Sequence, residues 1–93
     1  MNIQLFHVVS QGVVNYVPSQ KAENGQVAMC RIQFKEFGNK YGDEFSCTVF
    51  GNLAQCRFTE NDIVAASLRF VVHEFEGRAY QEVLVEDIVK LNR

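Results

Sequence analysis

The chain has no tryptophan, one proline and two histidines in 93 residues. Its three cysteines, Cys30, Cys47 and Cys56, form no Cys-x-x-Cys pair, so the ligand spacing of a zinc site is missing. An odd, irregular set of thiols reads as reduced cysteines in a cytosolic setting, where they serve as small core residues. No apolar run approaches the ~20 residues of a membrane span. The opening MNIQLFHVV lacks a basic n-region and a small-residue cleavage site, so neither a signal peptide nor membrane association is expected. There is no basic excess either: the formal net charge is −2 and the pI about 5.6. That balance argues against coating a duplex by bulk charge, while leaving room for a local basic groove. Catalytic patterns are equally scarce. There is no Ser-His-Asp set and no phosphate-cradling glycine loop, and His73 and Glu74, as strand neighbours, point to opposite faces. No enzyme activity, cofactor or metal is expected.

What the chain has is apolar and aromatic residues in alternation. Hydrophobic residues make up 47%, with eight phenylalanines, enough for the core of a single domain spanning 1–93. Residues 1–18 alternate loosely around Gly12, which predicts a long first strand with a bulge or bend there, ended by Pro18. A polar loop with an Asn24-Gly25 turn follows. Residues 27–37 form the clearest strand, with Ala28, Cys30, Ile32 and Phe34 inward and Met29, Arg31, Gln33, Lys35 and Phe37 outward. A hairpin over residues 38–43 leads to a strand with Phe45, Cys47 and Val49 inward and Ser46, Thr48 and Phe50 outward. Gly51 breaks it, and Asn52 is placed to cap a short helical turn. After a turn at residues 59–62, a long strand carries Val64, Ala66, Leu68, Phe70 and Val72 in one phase. Glu76-Gly77 turns it into a last strand with Val83, Val85, Val89 and Leu91 in phase. The predicted core is Ala28, Cys30, Ile32, Phe34, Cys47, Val49, Leu68 and Phe70. Strand, strand, strand, helical turn, strand, strand is the order of a five-stranded OB-fold barrel, whose closure protects its edges.

Single-stranded nucleic acid is held by rings that stack on bases and cations that follow phosphates. The outward residues Arg31, Lys35, Phe37 and Phe50 supply both, with Lys40 and Tyr41 at the hairpin tip and Lys21 in the first loop. Residues 21–42 carry four cations against Glu23 and Glu36, a net of +2, while the remaining positions carry −4. Each residue also has a plain reading: Phe37 packs on a neighbouring loop, Phe50 turns inward, Tyr41 is a turn aromatic, and Arg31 and Lys35 are solvated strand cations. Their combination on one face favours binding.

VFGNLAQ, residues 49–55, resembles the Phe-Gly-x-Leu-Ala segment of bacterial single-stranded DNA-binding proteins, and VAMCRI, residues 27–32, is similar to the opening of their second strand. The resemblance covers roughly residues 27–91. It implies that Phe50 stacks on bases, as does Phe75 beside the Glu76-Gly77 turn. It also implies a cytoplasmic protein, bacterial or in a host cell if phage-encoded, and a homodimer or homotetramer through first-strand edges such as Ile3 and Leu5. Two features depart from the family. Glu44 stands where the family carries a tryptophan, and the glycine- and proline-rich linker with its acidic C-terminal tail is missing.

The expected function is therefore largely sequence-independent binding of single-stranded DNA, or of RNA, in replication or recombination. The alternative is a protein–protein interaction module, such as an accessory subunit of a replication complex, motivated by the acidic pI and by Glu44. OB-folds host several ligand classes, and fold does not imply function.

Overall fold

The strict alternation over residues 26–36 yields the central strand around which the sheet is laid. A computed structural model describes residues 3–20, 24–38 and 42–92. Its elements are β1 (Ile3–Gln11), β2 (Asn15–Pro18), β3 (Gln26–Glu36), β4 (Glu44–Phe50), α1 (Asn52–Gln55), β5 (Ile63–Phe75) and β6 (Arg78–Lys90). β3 pairs antiparallel with β4, and β4 lies parallel to β6 with Thr48 opposite Leu84. β6 pairs with β5, β5 with β1, and β1 returns to β3. Five strands thus close a ring, with α1 between the third and fourth of them, which is the expected all-β OB-fold barrel.

The expected first strand is split. β1 and β2 both pair with β3, on either side of a break at residues 12–14. Gly12 donates its N–H to the Arg31 carbonyl at 2.8 Å, pinning the bend where it was expected. The bulge itself lies earlier, between Val8 and Ser10. Ile3 and Leu5 expose their side chains, but their strand is already hydrogen-bonded to β5.

Phe34 lies at the centre of the core and is fully buried. Phe6 stacks on it with centroids 5.0 Å apart, and Phe45 meets both edge-on at 5.3 and 6.1 Å. Ala28, Cys30, Ile32, Cys47 and Val49 are buried as predicted. At the other end Ala54 of α1 closes the barrel, its carbonyl accepting from Cys30 Sγ at 3.6 Å. The segment after α1 is tied down by side chains. Gln11 Nε2 donates to the Cys56 carbonyl at 2.8 Å, Gln11 Oε1 accepts from Phe58 N–H at 2.8 Å, and Arg57 Nη2 donates to the Gly12 carbonyl at 2.7 Å. Asn52 does not cap α1, because the N-cap position belongs to Gly51, with φ 73° and no side-chain cap bond. Cys56 is exposed beyond the turn and is not a core residue.

Five further expectations are corrected in β5, β6 and just past the end of β6. Phe70 and Val72 keep phase with Val64 and Ala66 yet are 64% and 67% exposed, and Leu68 is only half-buried. The strands run past the end of the barrel as a two-stranded ribbon, paired there only with each other among the described residues. Val89 and Leu91 point outward because the register slips: Ser67 faces Asp87 but Leu68 faces Val85, leaving Glu86 as an extra residue. One added residue inverts every side chain beyond it, so Ile88 is the buried one.

The residue 59–62 turn is locked by Asp62. Its Oδ2 accepts from Thr59 N–H at 2.8 Å and its Oδ1 from Thr59 Oγ1 at 3.0 Å, with Lys90 Nζ 3.5 Å from Oδ2. The Thr59 N–H bond, helped by Lys90, holds the carboxyl below its ordinary pKa against the cost of burial.

Candidate nucleic-acid interface

The outer face of β3 and β4 presents cross-strand pairs: Met29 with Phe50, Arg31 with Thr48, Gln33 with Ser46, and Lys35 with Glu44. Arg31 is exposed and Phe50 is 41% exposed, so both inward phases and this outward face stand as expected. Thr48 is buried, since β6 runs beside it at Leu84. Glu44, at the position of the missing tryptophan, accepts a hydrogen bond from Gln33 Nε2 at 2.9 Å.

The ribbon adds a second wall. Glu76 and Gly77 both have positive φ, 52° and 77°, as a two-residue type I′ hairpin turn demands. That turn sets Phe75 opposite Arg78, His73 opposite Tyr80, Val71 opposite Glu82 and Arg69 opposite Leu84. Opposed residues share a face, so one side of the ribbon carries Phe75, Tyr80, His73, Arg69, Arg78 and Glu82, together with Val71 and Leu84 nearer the barrel. The other side carries Leu68, Phe70, Val72, Glu74 and Val83. The two sides are chemically distinct: aromatic and charged against mainly apolar.

The aromatic, charged side meets the barrel face in a cleft of about 380 Å³, lined by Arg31, Ser46, Thr48, His73, Tyr80 and Glu82 among others. Tyr80 is 51% exposed there. His73 Nε2 lies 2.8 Å from Glu82 Oε2, with both side chains partly open to solvent. The parallel register of β4 and β6 puts Phe50 at one end of this surface and Phe75, 65% exposed, at the ribbon tip beyond the other.

Of the residues singled out from sequence, Arg31 lies in the cleft and Phe50 and Phe75 flank it. Lys35 does not join them. It lines a separate hollow of about 420 Å³ with His7, Glu36, Glu44 and Glu60, where carboxylates surround it. Phe37 packs its ring on His7, centroids 5.0 Å apart, while remaining 41% exposed. Lys21, Lys40 and Tyr41 lie outside the described residues. Sequence reasoning missed Tyr80, Arg69, Arg78 and Glu82. The signal was present in the Glu76-Gly77 turn: a two-residue loop pairs 75 with 78 and 73 with 80, which places Tyr80 beside His73 on the same face as Phe75.

No family model and no curated protein sequence matches this chain. Among the described residues no helix is long and apolar enough to cross a membrane.

Proposed function

We propose that this chain binds single-stranded nucleic acid, in the first instance DNA exposed during replication or recombination, along the outer face of β3 and β4 and the adjoining side of the ribbon. The observation that carries the reading is the convergence of Arg31 with Tyr80 and His73 in one cleft, with exposed Phe50 and Phe75 at its two ends. Rings spaced along a groove give bases surfaces to stack on, and Arg31, Arg69 and Arg78 supply cations for the phosphates despite the negative net charge. Nothing in this arrangement demands a particular base at most positions, which fits a binder with little sequence preference.

The test is fluorescence anisotropy with labelled oligo(dT), the matching RNA and a duplex. Phe50→Ala, Phe75→Ala and Tyr80→Ala should each weaken oligo(dT) binding by ~1–3 kcal/mol, with unchanged melting temperatures. Binding should fall with salt, log K dropping by about 0.7 per log unit of salt for each phosphate neutralised. Flat salt dependence, or unchanged affinity in all three variants, would sink the reading. A second reading, a protein-interaction module, is favoured by the apolar side of the ribbon. There Phe70 and Val72 stand exposed beside a groove of about 310 Å³ that reaches Phe6 and Phe45. It takes precedence if no nucleic acid binds at low salt.

A further inference from the structure

A carboxylate in a groove meant for a polyanion needs a reason. Glu82 is the one acid lining the cleft among the described residues, and it faces the same space as Arg31, Tyr80 and His73. It cannot serve phosphates, which it would repel. It can accept hydrogen bonds from the donor edge of a base, because an ionised carboxylate offers about four acceptor positions and the contact at Oε2 with His73 uses only one. That contact, at 2.8 Å, also fixes the carboxylate's orientation.

Tyr80 and Glu82 are two residues apart on one face of β6, and a strand rises ~3.3 Å per residue, so their side chains stand ~6.6 Å apart along it. That is about the reach from the centre of a purine stacked on Tyr80 to its Watson–Crick edge, plus one hydrogen bond of ~2.9 Å. Guanine presents two adjacent donors on that edge, N1–H and the N2 amino group, which match the two oxygens of a carboxylate. Thymine presents one donor, and adenine and cytosine one amino group beside an acceptor that a carboxylate would oppose. Ser46, exposed on the barrel wall, offers a hydroxyl to the sugar or phosphate.

We infer that the cleft between Tyr80 and Glu82 is a base subsite that prefers guanine, setting one point of sequence preference within an otherwise indifferent groove. This rests on the single-strand binding reading above. Glu82 is the specificity-determining residue, Tyr80 the stacking platform, and His73 positions the carboxylate.

The experiment uses oligo(dT) of about fifteen nucleotides, near the upper site size of one OB-fold. It is compared with the same strand carrying one central dG, dA, dC or deoxyinosine, and a single guanine cannot form guanine quartets within one strand. The dG strand should bind about tenfold tighter than oligo(dT), within the range for one bidentate base contact. Deoxyinosine, which lacks the N2 amino group, should lose most of that advantage. In Glu82→Ala the ratio of dG to dT affinity should fall to near one, while a melting curve shows the protein folded. Equal affinities for dG and dT strands in the unaltered protein overturn the inference, and so does a dG advantage that survives Glu82→Ala. Uniformly tighter binding of every strand by Glu82→Ala, with no base preference before or after, also overturns it, since Glu82 would then only repel phosphates. Failure of oligo(dT) itself to bind at low salt defeats the binding reading as a whole. No dG advantage in the unaltered protein, with oligo(dT) still bound, defeats this inference alone.

Discussion

Val64 and Phe70 sit in the same phase of one strand, six residues apart, yet Val64 is fully buried and Phe70 is 64% exposed. The first half of β5 is held between β1 and β6, as a stave of the barrel. The second half pairs with β6 alone and stands clear of it. Alternation therefore reports which face a side chain takes, and burial depends on whether anything covers that face. In the barrel the covering layer is the opposite wall, whereas in the ribbon both faces are available to a ligand. The same apolar letters thus stabilise the fold in one region and present a surface in the other.

The sharpest way to break this comparison starts in the barrel. Phe34→Ala removes a fully buried ring that packs against Phe6 and Phe45, and should cost about 3–5 kcal/mol of stability by denaturant unfolding. A change under about 1 kcal/mol would mean that the aromatic cluster is not the centre of the core.

Next comes the corner where barrel and helical turn meet. Gly51 has φ 73° and ψ −143°, a backbone state that a side chain disfavours even though a Cβ would meet no atom within 4 Å. Gly51→Ala should cost roughly 1–3 kcal/mol through backbone strain alone. Unfolding of the variant beside Asn52→Ala separates this from capping. Asn52→Ala should be close to neutral, because its side chain makes no cap bond.

The β3–β4 half of the barrel was legible because those strands obey a period of two without interruption. From Ala28 to Phe34 and at Cys47 and Val49, the inward set read from alternation is the buried set. The Phe-Gly corner and the helical turn were legible from Gly51. Two kinds of feature were not. The extra residue at Glu86 leaves no mark in composition, and it inverted Val89 and Leu91 relative to their apparent phase. The extent of the ribbon was also hidden, since Phe70 and Val72 look like core residues until the barrel's height is known. For the site, Arg31, Phe50 and Phe75 were readable one strand at a time. The Glu76-Gly77 turn already sets Tyr80 on the face of Phe75, but the meeting of Tyr80 and Glu82 with Arg31 follows only from the parallel pairing that lays β6 against Thr48.

A smaller effect should appear on the acid side. Asp62 has its pKa lowered in the folded chain, chiefly by the Thr59 N–H bond. A depressed carboxylate contributes stability that is fully present above its unfolded pKa and is lost as pH falls through the folded value. Asp62→Asn should therefore melt below the parent protein at neutral pH, and the gap should close on acidification below the ordinary carboxylate range. A gap that is constant with pH would show that the turn depends on the shape of the side chain and not on its charge.

The smallest expected effect is the most telling for the comparison. Phe70→Ala deletes a ring as large as that of Phe34 from the same strand phase as Val64 and Ala66. If alternation alone decided burial, the loss would approach that of Phe34→Ala. Because the ring stands 64% exposed on the apolar side of the ribbon, little surface returns to water when it is removed. Stability should change by no more than about 0.5 kcal/mol, the range of ordinary surface substitutions. Oligo(dT) affinity should also stay the same, since Phe70 lies on the side of the ribbon away from Tyr80 and Phe75. Measuring both on one preparation distinguishes the alternatives. A large destabilisation would mean that the ribbon folds back on the barrel and Phe70 belongs to the core. Weakened oligo(dT) binding with intact stability would put the strand on the apolar side of the ribbon and reverse the assignment of its two faces.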